Sequence, residues 1–283
     1  MNFEFFGHLI MMRRLYILAV IIFLGCPSAY GLGPEQTGML HAGVTPYVVV
    51  IDPGHGGVDT GAVGKNGAKE KTVNLDVALR VAERLRANPE IKVVMTRIDD
   101  TFVPLAERAA FANASMADVF ISIHSNAASS RVANGVETFF LSVDATDSDA
   151  SEVAAVENAV VMADGGQTPV QNDEIKAILF DLTRTESHHE SSALAESVQT
   201  SLYKARRKEN RGVKQAPFAV LSGAMMPAAL VEIGFISNVA EEKRLSSKEE
   251  QTKIADSITE GILDFKKITS RGRRIVNETA KKD

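Results

Sequence analysis

Cysteine is almost missing from this sequence, with one residue, Cys26, in 283. A chain whose leader is cut beyond that point has no thiol, which excludes disulfides and cysteine-held metal. Any metal must then be held by His, Asp or Glu. An excess of positive charge is missing too: the formal net charge is −5 at pH 7, and nothing points to a nucleic-acid partner. Beyond the N-terminal leader no apolar run is long enough to span a membrane, and no internal repeat is visible. Between residues 132 and 175 there is no Lys or Arg at all. Acids recur there at Glu137, Asp144, Asp147, Asp149, Glu152, Glu157, Asp164, Asp173 and Glu174, the sharpest shift of composition in the chain.

What is present begins with an export signal. Met12-Arg13-Arg14 precedes an apolar stretch over 15–24 and then small residues. Ala29 and Gly31 have the spacing a signal peptidase reads, so 1–31 is assigned as signal peptide and 32–45 as linker. Translation could start at Met11 or Met12 instead of Met1. Lipidation at Cys26 is a rival reading, on an imperfect lipobox followed by Pro27, and the paired arginines also permit twin-arginine export. Removal of Arg13, Arg14 and Glu4 with the leader moves the formal charge from −5 to −6. The expected destination is outside the cytoplasm, in the periplasm.

The rest alternates strand and helix patterns. Tyr47-Val48-Val49-Val50-Ile51, between Pro46 and Pro53, reads as a buried strand over 45–52. Over 70–86, Val73, Val77, Val81 and Leu85 recur every four residues with charges between them, which makes an amphipathic helix. A strand at 91–96, a helix at 105–114 and a strand at 119–123 follow, and this order implies βαβ units. Further strands are expected at 135–142 at the sheet edge, at 218–221 and at 228–233. Helices are expected over 151–163, over 173–207 as one long helix or two in succession, and over 248–265. The fold class is α/β: a twisted, mainly parallel sheet of about six strands with helices on both faces, in one domain over 46–266. The basic stretch 267–283 reads as a solvated, flexible tail, with contact to an anionic polymer or lipid as the alternative.

Three residues have the types and places of a catalytic metal site. His55 lies in the turn Asp52-Pro53-Gly54-His55-Gly56-Gly57, Glu70 opens a helix, and His124 ends the apolar run 119–123. Each falls where one element gives way to the next, the edge at which open α/β sheets gather their sites. Two imidazoles and one carboxylate leave a tetrahedral Zn²⁺ one open position, the arrangement of catalytic zinc. Taken singly, His124 reads as a satisfied core histidine and Glu70 as the acidic first turn of a helix. The set gains weight from Glu232, a carboxylate at the end of an apolar strand, where burial is costly unless it is employed. Beside zinc, Glu232 can take a proton from water and pass it to a leaving nitrogen. His188 and His189 are adjacent on a helix and point about 100° apart, so that face cannot give one ion two ligands. Either Asp52 or Asp59 could orient the second nitrogen of His55, with Asp52 preferred. In the 151–163 helix the stripe is Val153, Val156, Val160 and Val161, and Glu157 falls between Val153 and Val161, an odd place for a carboxylate. Arg97 follows a strand and Arg108 lies on a helix; internal pairing is the default for both.

Five blocks then occur in order: Val48-Val49-Val50-Ile51-Asp52-Pro53-Gly54-His55-Gly56-Gly57; Glu70-Lys71 before Asn74-Leu75; Thr96-Arg97 with Leu105-Ala106-Glu107-Arg108; Phe120-Ile121-Ser122-Ile123-His124-Ser125-Asn126-Ala127; and Val231-Glu232-Ile233-Gly234-Phe235-Ile236-Ser237-Asn238. Over 47–265 the chain resembles the zinc-dependent N-acetylmuramoyl-L-alanine amidases that separate daughter cells. The resemblance implies hydrolysis of the amide between N-acetylmuramic acid and L-alanine in peptidoglycan. It implies zinc on His55, Glu70 and His124, and Glu232 as general base. Many such enzymes carry an N-terminal wall-targeting domain, which this chain lacks between the leader and the first strand, so targeting to a division site is in doubt. Some relatives have an extra segment after the fourth strand that folds over the zinc and is released by an activator carrying a degenerate peptidase domain. The acidic stretch 144–172 occupies that place, and Glu157 is the candidate to occupy or cap the open zinc position. A surface helix whose Glu157 merely skirts the core is the plainer reading. The expected state is a monomer, with no membrane span after removal of the signal. The rival readings are a zinc carboxypeptidase on stem peptides and a wall-binding protein that has lost catalysis, which the presence of Glu232 weakens.

Overall fold

The computed structural model describes residues 45–159, 186–206 and 210–279. The expected signal peptide, Cys26 and most of the linker lie outside these residues. So do Val160, Val161, the end of the acidic stretch and the start of the helix expected at 173. Among the described residues no helix is long and apolar enough to cross a membrane.

The elements run β1 (Tyr47–Pro53), α1 (Glu70–Arg86), β2 (Ile91–Met95), α2 (Leu105–Ala114), β3 (Val119–Asn126), β4 (Val136–Leu141), α3 (Ser148–Asn158), α4 (Glu186–Arg206), β5 (Asn210–Ala216), β6 (Ala228–Phe235), α5 (Val239–Leu245) and α6 (Lys248–Thr279). One six-stranded sheet has the order β2-β1-β3-β6-β4-β5. Every pairing is parallel except β4 with β6. The α/β class and the mainly parallel sheet therefore hold. The chain leaves β1 toward β2 on one side and takes up β3 on the other. That change of direction makes a topological switch point between β1 and β3, and sheets of this kind bind ligands at the carboxyl ends of the strands there.

Strand alternation assigns the two faces. Val49, Ile51, Ile121, Ile123, Val231 and Ile233 point toward α1, α4 and α6, and form one core with Val77, Val81, Leu194, Val198, Ile254 and Ile258. Val50, Phe120, Leu230 and Phe139 point the other way, onto Ala112, Ala150, Ala154, Phe218 and Leu221. The second face changes character along the strands. At the next positions of the same parity stand Asp52, Ser122, His124, Glu232 and Glu137, all buried. Register puts Asp52 opposite Ser122, His124 opposite Glu232, and Glu232 opposite Glu137. A polar band thus crosses four strands on the side that α3 covers.

Several expectations are corrected. Phe218 does not open a strand: Ala219–Leu221 is a 3₁₀ turn, and the fifth strand is Asn210–Ala216. That segment, Asn-Arg-Gly-Val-Lys-Gln-Ala, is an edge strand with only one neighbour, so it has no need of an apolar run. The 135–142 strand is internal, held between β6 and β5. The last helix does not end at 265 but continues to Thr279, through most of the stretch expected as a flexible tail. Lys and Arg are good helix formers, no Pro interrupts the segment, and the helix passes through both Gly261 and Gly272. In α3 the buried face is Ala150, Ala154 and Glu157, at i, i+4, i+7, while Val156 is about half exposed. Of the expected valine stripe, Val153 packs partly against this core, while Ala150 and Ala154 are the residues fully buried beside Phe139 and Phe218.

Gly261 sets the distance between α4 and α6. A Cβ there would come within 2.6 Å of Val198 Cα, a backbone contact that no side-chain rotation relieves. Alanine gains about 1 kcal/mol of helix propensity over glycine, whereas overpacking costs about 1–3 kcal/mol. Gly261→Ala is therefore expected to destabilise, read as a lower urea midpoint with unchanged slope. A higher midpoint would show that the helices have room to separate.

Candidate metal centre

The turn after β1 is built around glycine. His55 itself has φ +60°, Gly56 +135° and Gly57 +57°, so the chain passes through the left-handed region and reverses within three residues. Gly54 makes room for the second imidazole: a Cβ there would sit 2.4 Å from His124 Cε1 and Nε2. Gly61, at φ +59°, does the same for His55 and Glu70, with a Cβ falling 2.6 Å from His55 Cδ2 and 2.7 Å from Glu70 Oε2.

Two arginines hold this turn from below, and the expected internal pairing is observed. Arg97 donates to the carbonyls of Pro53, Gly54, Lys71 and Asp99. Arg108 donates to Asp52 Oδ1 at 2.8 Å and to the carbonyls of Pro53, Val103 and His55. Asp52 also accepts from Thr96 Oγ1 and Ser122 Oγ. Burial pushes its carboxyl up, but Arg108 and the two hydroxyls hold it below the usual range. Removing one member of a buried, fully bonded pair of this kind costs about 3–5 kcal/mol.

Asp52 is thereby occupied and does not orient His55. The partner is Asp59, whose Oδ2 lies 2.8 Å from His55 Nδ1, which reverses the expected preference. The Gly56–Asp59 bridge folds the turn back on itself and brings Asp59 alongside the ring. With Nδ1 engaged, Nε2 faces inward.

Four side chains then converge. His55 Nε2 lies 3.2 Å from Glu70 Oε1 and 3.2 Å from Glu157 Oε2. His124 Nδ1 lies 3.3 Å from Glu70 Oε1 and 2.8 Å from Glu157 Oε2. All four ligating atoms fall within 4.8 Å of one another, and all four residues are buried. Ligands held 2.0–2.1 Å from one ion at the tetrahedral angle stand about 3.3 Å apart. Three of the four spacings, 3.2, 3.2 and 3.3 Å, match that edge, and the fourth, His124 Nδ1 to Glu157 Oε2, is shorter at 2.8 Å. His55 Nε2, both nitrogens of His124 and Glu157 Oε2 have no hydrogen-bond partner among the described residues. Buried polar atoms left in this way call for an explanation, and a cation at their common centre supplies one. Glu70 is aimed from outside the cluster: Oε2 accepts from Ala62 N, and Oε1 from Ser125 N and Asn74 Nδ2.

The electrostatics favour the same reading. Burial alone would lower the His55 pKa, but the charge of Glu70 and contact with Asp59 and Glu157 raise it well above the ordinary histidine range. Against the same burial, Glu157 chiefly lifts His124 to about 9. Burial pushes the Glu232 carboxyl well up, reinforced by the charges of Glu157, Glu70 and Glu137. Three acids about two imidazoles demand positive charge, from protons on the rings or from a metal. Glu232 is wholly buried and neither of its oxygens has a partner among the described residues.

His188 and His189 lie on α4, and neither belongs to the cluster. Glu137 is the residue the sequence reading did not single out. It is buried beside Glu232, accepting from Asn126 Nδ2 at 2.7 Å and Arg211 Nε at 3.1 Å. Its signal was parity: in Val136–Leu141 it shares a face with the buried Phe139.

The family described as N-acetylmuramoyl-L-alanine amidase matches residues 49–264. N-acetylmuramoyl-L-alanine amidase AmiC of Escherichia coli is 38% identical over 218 residues, 77% of this chain and 52% of the relative. AmiA of Escherichia coli is 37% identical over 219 residues, 77% of this chain and 75% of the relative. The chain thus spans about half the length of the first and three quarters of the second. The crystal structure of an N-acetylmuramoyl-L-alanine amidase from Clostridium difficile is similar at a TM-score of 0.62 and 30% identity, covering 78% of this chain and 97% of that one.

Gly54→Ala separates folding from metal uptake. The added Cβ must displace the His124 ring, so zinc affinity is expected to fall about 10–100-fold, as when a ligand loses its support. Far-UV circular dichroism should be unchanged. Wild-type zinc affinity in this variant would show that the ring has no need of its present place.

Proposed function

The chain belongs to the N-acetylmuramoyl-L-alanine amidase family, and we propose that it is an exported, zinc-dependent enzyme that cleaves the amide between N-acetylmuramic acid and L-alanine in peptidoglycan. The convergence of His55 Nε2, His124 Nδ1 and Glu70 Oε1 on one point, beside a buried Glu232, carries this reading. Those three side chains would hold the ion. When bound, zinc supplies a Lewis acid for the amide carbonyl and lowers the pKa of water toward 7. Glu232 takes the proton that attacking water sheds and delivers it to the leaving nitrogen of L-alanine. Burial and the neighbouring carboxylates push its pKa upward, the direction that makes a carboxylate a stronger base. Asp59 fixes the ring orientation of His55, and Asn74 with the backbone N–H groups of Ala62 and Ser125 fixes Glu70.

Glu157 Oε2, within 3.2 Å of His55 Nε2 and 2.8 Å of His124 Nδ1, would be a fourth ligand, and we read it as self-inhibitory in the resting protein. α3 is held by a short apolar face: Ala150, Ala154 and Glu157 are buried, Val153 packs partly against the same core, and the Asn158 amide spans Pro217 O and Ala219 N. Such a segment can leave at small cost when a partner takes it up. An activator with a degenerate peptidase domain is the proposed partner. Cell separation is the proposed role and the periplasm the proposed site of action. Nothing in the site favours a carboxypeptidase, and the products distinguish it: an amidase frees whole stem peptides, a carboxypeptidase single amino acids.

Glu232→Ala is expected to lower release of stem peptides from purified sacculi by about 10²–10⁴-fold, the range of a general base, and a chelator should stop the wild type. Mass analysis of the released peptides reads both. Equal clearance by wild type and variant would leave a wall-binding protein. Glu157→Ala should raise basal release several-fold without an activator, and unchanged or lower release would count against the self-inhibitory ligand.

A further inference from the structure

We propose that Arg211 determines specificity by binding a carboxylate of the substrate's stem peptide, and that Asp149 of α3 holds that place until the helix moves. This rests on the amidase reading above. Arg211 lies in edge strand β5 and is fixed from two sides: Nε donates to Glu137 Oε2 at 3.1 Å, and the guanidinium sits 5.0 Å from the centre of the Phe235 ring. Its Nη2 donates to Asp149 Oδ2 at 3.1 Å. The two acids differ in kind. Glu137 is 1% exposed and belongs to the sheet, whereas the Asp149 side chain is 64% exposed and belongs to the lightly docked α3. A solvent-screened pair of the second sort contributes little and can be exchanged for another carboxylate. Glu137 and Phe235 keep the guanidinium aimed whichever carboxylate meets Nη2, which is the preorganised fork that planar carboxylates favour.

The surroundings fit a peptide. Arg211 lines a cavity of about 450 Å³ with Asn126, Ser129, Ser130, Glu137 and Phe235, and α3 forms one wall through Asp149, Glu152 and Val153. That is within the usual range for a ligand site, about 300–1,000 Å³. Among the described residues that line it, Arg211 alone is positively charged. The cavity adjoins the candidate metal centre, since Asn126 follows His124 by two residues and Glu137 faces Glu232 across the β4–β6 pair. A peptide whose first amide is held at the metal centre therefore runs toward a cavity in which Arg211 can take a substrate carboxylate once Asp149 withdraws. Ser129 Oγ, bonded to Glu152 Oε1 at 3.0 Å, is a second donor that α3 occupies.

The test uses the full chain loaded with zinc, in a Glu157→Ala background, and two soluble muropeptides that differ only in whether the stem-peptide carboxylates are free or amidated. The free acid should be preferred by about 10–100-fold in kcat/KM, the span of a charge-assisted hydrogen bond. Arg211→Ala should bring the acid to the level of the amide, through KM more than kcat, and leave the amidated substrate nearly unchanged. Arg211→Lys, which keeps a cation for Glu137, should retain an intermediate preference and the wild-type melting temperature. Asp149→Asn, in the chain with Glu157 intact, should lower KM for the acid alone. An equal loss on both substrates in Arg211→Lys, or an undiminished preference in Arg211→Ala, would overturn the assignment and leave Arg211 as a support for Glu137. Cleavage of neither substrate by the background protein would sink the amidase reading and this inference together; cleavage without preference would sink only the inference.

Discussion

The costliest feature of this structure is the burial of carboxylates about a single point. Glu70, Glu157 and Glu232 stand around two imidazoles with almost no access to water, and Glu137 is next to them. An isolated buried carboxylate cannot stay charged, and several at once cannot stay charged without a cation. Most of what surrounds the cluster offsets that cost. Backbone N–H groups of Ala62 and Ser125 meet Glu70, Asn126 and two basic residues meet Glu137, and Asp59 meets the far side of His55. The atoms left over are those that face inward. A divalent ion would complete the set.

The sheet explains why so much polarity collects there. Residues of one parity on β1, β3, β6 and β4 form an apolar layer under α2 and α3, then turn polar at Asp52, Ser122, His124, Glu232 and Glu137. Asp52 and Arg108 form the floor of the turn that carries His55, and Gly54 lets that turn lie against the His124 ring. Mutations in this floor act on the site through position, with no contact to the metal at all.

The lighter part is α3. It lays Ala150 and Ala154 on the apolar layer, with Val153 only partly buried and Val156 about half exposed, so it places Glu157 in the cluster with little apolar area committed to staying. Its ion pairs with Arg211 and Lys214 are largely solvent-screened on the acidic side. Close approach with weak docking is what a removable cover requires.

His55, Glu70, His124 and Glu232 were legible because each stands where an element pattern breaks, a glycine turn, a helix start or an acid in an apolar strand. Glu157 was legible as a carboxylate on the wrong face, although the neighbours that bury it are Ala150 and Ala154 and not the valines. Asp59 was ranked below Asp52 because neither the fold of the Gly56–Asp59 turn nor the claim of Arg108 on Asp52 can be read from spacing. Strand β5 was missed because Asn210–Ala216 pairs on one side only, and a polar edge strand has no hydrophobic signature. Zinc K-edge absorption of the purified chain is the most direct measurement of the central claim. The expected result is one equivalent of zinc bound by imidazole nitrogen and carboxylate oxygen at about 2.0–2.2 Å without sulfur, and lost when His55 and His124 are both replaced. A purified chain that binds no stoichiometric zinc, or whose zinc environment is unchanged by those replacements, would contradict it.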